Sequence, residues 1–303
     1  MPVAASGLLV SRASTALGFS TGESAPSPDA VIESGSILAE KYGAGGKDLI
    51  FIPGLAGGAW NWTGMARRFS SSHTVYALTL PGFDGHASIA APIIDKVVAD
   101  IARFIEERRL GKPILIGHSL GAFIALRVGV EHAQSIGGTV AIDGYPVFPP
   151  LADKDAEGRR GGALRLAQQF RVGPDIEKFR ALMRTFLAAR MNDPELATRL
   201  ADRAARSDPS ATAQYVMEML SADLRPELGR LKTPLLVLAA INSYKMGLTE
   251  AEIRRFYASL LAIAPHVSIM LIRNARHFAA EDQPEVVGAA IEGFLAGLDL
   301  AVC

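Results

Sequence analysis

The chain runs to 303 residues with 31 Lys+Arg against 31 Asp+Glu, 49% hydrophobic and 20% charged residues, a composition that suits a globular protein with a substantial core. Balanced charge leaves no electrostatic footprint for nucleic acid, whose phosphates demand clustered cations. The one cysteine, Cys303, excludes an internal disulfide and a thiolate metal site, and no histidine pair has the helical spacing of a zinc hydrolase, so neither metal nor cofactor is expected.

The apolar run at 3–10 is followed, not preceded, by Arg12, the reverse of the charge order in a secretory signal. With the Ser/Pro/Gly-rich stretch at 20–28 it makes residues 1–30 a tether, either a flexible N-terminal extension or a signal remnant. No stretch reaches the roughly 18 consecutive apolar residues that span a bilayer, so stable membrane insertion is not expected. Residues 49–52 form a short apolar run ended by Pro53-Gly54, and 75–80 another ended by Pro81-Gly82; both predict buried strands running into turns. Apolar residues at Ile94, Val97, Val98, Ile101, Phe104 and Ile105 recur at helical spacing. Residues 114–116 predict a third strand, 122–132 a helix and 139–142 a fourth strand, none alternating in polarity, as buried parallel strands need not.

From about 146 the strand-like runs vanish. Charged amphipathic helices follow, one with Ile176, Phe179, Leu182, Met183 and Phe186 on a single face, punctuated by Pro174, Pro194, Pro209 and Pro226 as helix starts or breaks. The pattern of strand and helix resumes with strands at 235–239 and 267–272 and helices at 249–261 and 284–295. An α/β frame at 31–145 and 226–303, with a mostly parallel sheet flanked by helices, therefore carries a helical insertion at 146–225.

Gly117-His118-Ser119-Leu120-Gly121 fits the nucleophile elbow G-x-S-x-G and lies between a predicted strand and a predicted helix, the context that motif requires. A serine on a sharp, strained turn needs neighbours without side chains, and the following helix offers unpaired N–H groups to developing negative charge. A serine hydroxyl also needs a base, and His277 is the histidine on a loop after a strand. His73 and His266 sit at strand entries, His132 on the helix after the elbow. His118 is expected to point away from the nucleophile as a structural hydrogen-bonder, and His86 to stand where it could border a pocket.

Together these motifs resemble the α/β-hydrolase family over about residues 32–298. Ile52-Pro53-Gly54-Leu55 resembles its oxyanion loop, Leu78-Thr79-Leu80-Pro81-Gly82-Phe83 its following strand and loop, and His277-Phe278 with Asp282-Gln283-Pro284-Glu285 its C-terminal histidine motif. The resemblance implies a helical cap at 146–225 and oxyanion donors in the backbone N–H groups of Leu55 and Leu120. It extends to a largely uncharacterised bacterial subgroup that shares Ile-Pro-Gly-Leu, Gly-His-Ser and the run at 222–228. Many of its members look exported, which points toward the periplasm or the outside.

One part departs from the family pattern. The family usually carries an aspartate a few residues after the strand at 235–239; here the sequence reads Ala240-Ile241-Asn242-Ser243-Tyr244-Lys245-Met246, with Glu250 its first carboxylate. Asp143, directly after the strand at 139–142, stands where some members supply the acid and keeps the chain order Ser, acid, His. Asn242 as a neutral partner, Glu250 and Glu252 are the alternatives. The expected chemistry is two-step acyl transfer from a small, apolar substrate to water, with a carboxylic ester as the default and lactone, amide or carbon–carbon bonds open to the same residues. Ser119 at the elbow argues against the sister activities that attack with an aspartate. Trp60, Trp62, Phe83, Tyr145, Phe148 and Tyr244 are the candidate lining residues. A non-catalytic small-molecule binding protein on the same fold is the reading of another class.

Overall fold

The computed structural model describes residues 27–300 apart from Pro174 and residues 244–246; the tether's first 26 residues, Tyr244 and Cys303 lie outside the described residues. In chain order the elements are β1 (Ala30–Ser34), β2 (Ile37–Tyr42), β3 (Asp48–Ile52), α1 (Thr63–Phe69), β4 (Thr74–Thr79), α2 (Ile93–Glu107), β5 (Ile114–His118), α3 (Leu120–Glu131) and β6 (Gly138–Ile142). Then come four helices, α4 (Ala156–Ala167), α5 (Ile176–Ala188), α6 (Pro194–Ala204) and α7 (Pro209–Ser221). The chain closes with β7 (Leu235–Ala240), α8 (Glu250–Leu260), β8 (Val267–Ile272), α9 (Ala279–Asp282) and α10 (Pro284–Leu300).

Among the described residues the strands form one sheet in the order β1-β2-β4-β3-β5-β6-β7-β8, antiparallel at β1/β2 and β2/β4 and parallel elsewhere. Because successive strand residues face opposite ways, each parallel strand feeds two cores at once. Ile50, Ile52, Leu115, Val237 and Ala239 face one core with α2, α3 and α8. Leu49, Phe51, Ile114, Ile116, Leu236 and Leu238 face the other, with α1 and α10. This double burial is why the strands read as continuous apolar runs. The β1–β2 hairpin and α1 had no place in the sequence-based expectation. The hairpin strands mix charge with apolar residues, as AVIES and ILAEKY, because they sit at the sheet margin.

Between β6 and β7 the insertion builds a third core of its own from Phe179, Met183, Leu187, Ala197, Ala201 and Val216. Asp175, Asp193 and Asp208 accept backbone N–H bonds at the starts of α5, α6 and α7, and Pro194 and Pro209 occupy first-turn positions where no N–H is needed. The expected apolar face of α5 shifts by one position: Ile176 is exposed and Leu187 is buried in its stead, because the face turns onto α6 rather than running to the helix start. An antiparallel bridge between Val147 and Asp223 and the Leu224 N–H to Pro146 carbonyl bond (2.8 Å) close the neck of the insertion. Two frame residues, Ala56 and Phe278, are buried in the insertion's core. No helix among the described residues is long and apolar enough to cross a membrane.

Candidate active site

Parallel strands deliver their carboxyl ends to one edge, and the loops leaving β3, β5, β6 and β8 meet there. Ser119 ends β5 and begins α3 with φ 53° and ψ −114°, a conformation costly for a residue with a side chain and held only where the surroundings over-determine it. The surroundings here are glycines. A Cβ on Gly117 would stand 2.1 Å from the Gly121 carbonyl, and one on Gly121 would stand 2.1 Å from the Ile52 carbonyl. Glycine is therefore required on both flanks by close backbone approach.

Ser119, His277 and Asp143 are brought into one line. The Ser119 hydroxyl lies 3.0 Å from His277 Nε2, and His277 Nδ1 lies 2.7 Å from Asp143 Oδ2. A carboxylate only accepts, so Nδ1 carries the ring proton and Nε2 is left to accept from the serine. Asp143 is 1% exposed and has φ 42°. Its Oδ1 accepts from the Ala240 N–H (3.2 Å) and the Tyr257 hydroxyl (3.1 Å). The alternative acids stand elsewhere. Asn242 is exposed and donates its main-chain N–H to the Ala275 carbonyl, Glu250 pairs with Arg273 at 2.6 Å, and Glu252 caps α8 through Thr249.

His118 packs under this line. Its Nε2–H donates to the His277 carbonyl at 2.8 Å, and the two rings lie 4.8 Å apart. Burial, reinforced by the neighbouring His277 ring, pulls its pKa down to about 3, so the ring is neutral. His86 bonds the Ser36 carbonyl at 2.9 Å, which ties it to the β1–β2 turn rather than to a pocket.

The loop after β3 forms a turn closed by the Gly57 N–H to Gly54 carbonyl bond (3.1 Å), with Ala56 at φ 55°. Leu55 takes the second position of that turn, whose N–H is not used by the turn bond. Leu120 is the first residue of α3, where N–H groups lack an intrahelical acceptor and the helix dipole favours negative charge. Asn61 Oδ1 accepts from the Gly58 N–H (3.1 Å), and Asn61 Nδ2 donates to Glu281 of α9 (3.3 Å).

The candidate lining residues scatter. Phe83 is fully buried against Tyr215, ring centroids 4.7 Å apart, and packs in the frame core, and Trp62 is core as well at 1% exposure. Tyr145 stacks on Tyr257 (5.4 Å) and its hydroxyl bonds Tyr257 (3.2 Å), which puts it behind the aspartate. Trp60 lies under the Arg203 guanidinium (5.3 Å) at the seam with the insertion, and Phe148 is half-buried against the insertion's core. Half-buried Leu55 and Met219 touch both the frame core and the insertion core, marking that seam as apolar. A cavity of about 390 Å³ opens beside the His277 loop, lined by Asn192, Ile241, Asn242, Leu248, Ile253 and Arg276 among others. Tyr257 and Ser207, whose hydroxyl touches the Ala56 carbonyl (3.3 Å), escaped sequence reasoning. Their one signal is that a buried hydroxyl needs a partner. No cluster of metal-ligating side chains is found among the described residues.

A parallel sheet with a strained serine at its carboxyl edge defines a class, and the comparisons agree. The family described as "Alpha/beta hydrolase family" matches residues 49–290, and the chain belongs to it: it is an α/β hydrolase. It is 26% identical to N-formylmaleamate deformylase of Pseudomonas putida, across 84% of this chain and 91% of the relative. It is also 26% identical to 2-succinyl-6-hydroxy-2,4-cyclohexadiene-1-carboxylate synthase of Klebsiella pneumoniae, across 82% and 93%. Among solved structures, a thermophilic esterase from Thermogutta terrifontis superposes with a TM-score of 0.72 at 19% identity, covering 89% of this chain and 99% of that one.

Proposed function

We propose that this α/β hydrolase is a serine hydrolase that cleaves a carboxylic ester, or a related acyl bond, of a small apolar substrate through an acyl-enzyme on Ser119. The observation that carries the reading is the unbroken line Ser119 Oγ–His277 Nε2, His277 Nδ1–Asp143 Oδ2 at 3.0 and 2.7 Å. His277 takes the serine proton as Oγ attacks the carbonyl carbon, and Asp143 holds the ring and offsets the charge it acquires. The carbonyl oxygen becomes an oxyanion received by the Leu55 and Leu120 amides. His277 then returns its proton to the leaving group. In the second half, water attacks the acyl carbon with His277 again as base, restoring the serine and releasing the acid. Leu55 and Met219 at the seam support an apolar acyl side, and the helical insertion at 146–225 acts as the cap over it.

The test is covalent. A fluorophosphonate probe should label Ser119 and lose it in Ser119→Ala, and p-nitrophenyl esters of increasing chain length should rank the acyl pocket. A protein inert to both would reduce the chain to a binding protein and sink the proposal. The relative named as a deformylase makes a formamide the second substrate class for the same assay.

A further inference from the structure

We propose that Ser207, a buried hydroxyl of the helical insertion, is a positioning residue that fixes the turn carrying the Leu55 amide. The proposal rests on the reading of that amide as an oxyanion donor. Ser207 follows α6, 2% exposed. Its single proton goes to the Ala56 carbonyl (3.3 Å), and its oxygen accepts from the Asp84 N–H (3.1 Å). The hydroxyl is thus used as both donor and acceptor.

Both of its partners are strained. Ala56 has φ 55° and Asp84 φ 46°, each a left-handed conformation that is unfavourable for a residue with a side chain and survives only where neighbours insist on it. One side chain from the insertion holds two such residues on two different frame loops. The surrounding contacts make the same junction rigid. The Gly85 N–H donates to the Arg206 carbonyl (3.1 Å) and the Asp208 N–H to the Gly82 carbonyl (2.7 Å). The Asp84 carboxylate meets Arg203 at 3.4 Å and Arg206 at 3.3 Å. Ala56 itself is fully buried in the insertion's core.

The turn's residues are Gly54, Leu55, Ala56 and Gly57, crossed by one 3.1 Å main-chain bond, and Ser207 adds a side-chain bond to its third residue. An oxyanion donor must stay within a few tenths of an ångström of its target, and a misplacement near 1 Å can cost about a hundredfold in rate. The insertion therefore does more than roof the pocket. Through Ser207 it sets half of the oxyanion site.

The experiment compares Ser207→Ala, Ser207→Cys and Arg206→Met with the intact protein, using the best p-nitrophenyl ester of the series and the fluorophosphonate probe. Ser207→Ala should lower kcat about tenfold to a hundredfold with KM changed by less than about twofold, because the turn acts on the transition state and not on substrate binding. Its rate of phosphonylation should fall in parallel while the label stays on Ser119. Ser207→Cys keeps the size and a weak donor and should recover part of the loss; it carries the comparison if Ser207→Ala does not fold. Arg206→Met loosens the same seam without touching the hydroxyl and should keep kcat. Ser207 variants with kcat within about twofold of the intact protein, or an Arg206→Met loss as large as that of Ser207→Ala, would overturn the proposal. An intact protein that resists labelling would instead fell the underlying hydrolase reading, and this inference with it.

Discussion

Among the described residues, the His277 ring, the Ala240 amide and the Tyr257 hydroxyl converge as donors on the Asp143 carboxylate. In the proposed mechanism a carboxylate so tied costs little reorganisation when His277 becomes charged, and its oxygens are held toward the ring. Asp143→Asn keeps the shape of the side chain but sets an amide against Nδ1, which favours the wrong tautomer and removes the compensating charge. Turnover should fall by about 10⁴ with the unfolding midpoint little changed, as steady-state kinetics and circular dichroism would establish together. Near-full turnover in that variant would return the role to Asn242 or Glu250. Ser119, His277 and Asp143 each carried a signal in the sequence, in a motif, a loop after a strand and a strand end. The choice among Asp143, Asn242 and Glu250 was not legible. In the sheet β7 lies between β6 and β8, so strand order does not select the acid; Asp143, at φ 42°, reaches across the end of β7 to the Ala240 N–H and the His277 ring, which no sequence pattern shows. Tyr257 is 114 residues from Asp143 and Ser207 is 151 from Ala56, so no local pattern could join them.

At the scale of elements, β3, β5 and α3 meet backbone against backbone. The carbonyls of Ile52 and Pro53 press onto the Cα of Gly121, where an added Cβ would sit 2.1 and 2.6 Å from them. Backbone on both sides leaves nothing soft to yield. Gly121→Ala should therefore destabilise the fold by about 3 kcal/mol and misplace the start of α3; a denaturant midpoint equal to that of the unaltered chain would show that the junction can give. The parallel strands could be read from sequence because burial on both faces makes them uniformly apolar and Pro-Gly turns end two of them. The marginal hairpin could not, since its alternation is interrupted by Glu33, Glu40 and Lys41. The helices of the insertion were legible as a group through their Asp and Pro starts, while the packed face of α5 depends on where α6 crosses it.

Across the whole molecule, the stability curve should carry the mark of Glu281. One of its oxygens is enclosed without a partner, the other meets Asn61. Burial, with a smaller push from Asp282 and against the Asn61 bond, raises its pKa from 4.5 to about 7. The folded state then keeps a proton that the unfolded chain gives up near 4.5, so this group's contribution to stability falls as pH rises from about 4.5 to 7 and is level above. Glu281→Gln carries no such titration. The difference in unfolding free energy between the variant and the unaltered chain should move in the variant's favour by roughly 3 kcal/mol across that window; a difference that stays flat with pH would refute the burial argument. The stretch that follows β7 borders the cavity through Ile241, Asn242 and Leu248, yet the proposed proton relay draws on the ends of β5, β6 and β8 and takes only main-chain support from β7, through the Ala240 N–H. Side chains along this rim stand outside the hydrogen-bonded line of Ser119, His277 and Asp143, so substitutions there should reshape the cavity and leave that line in place.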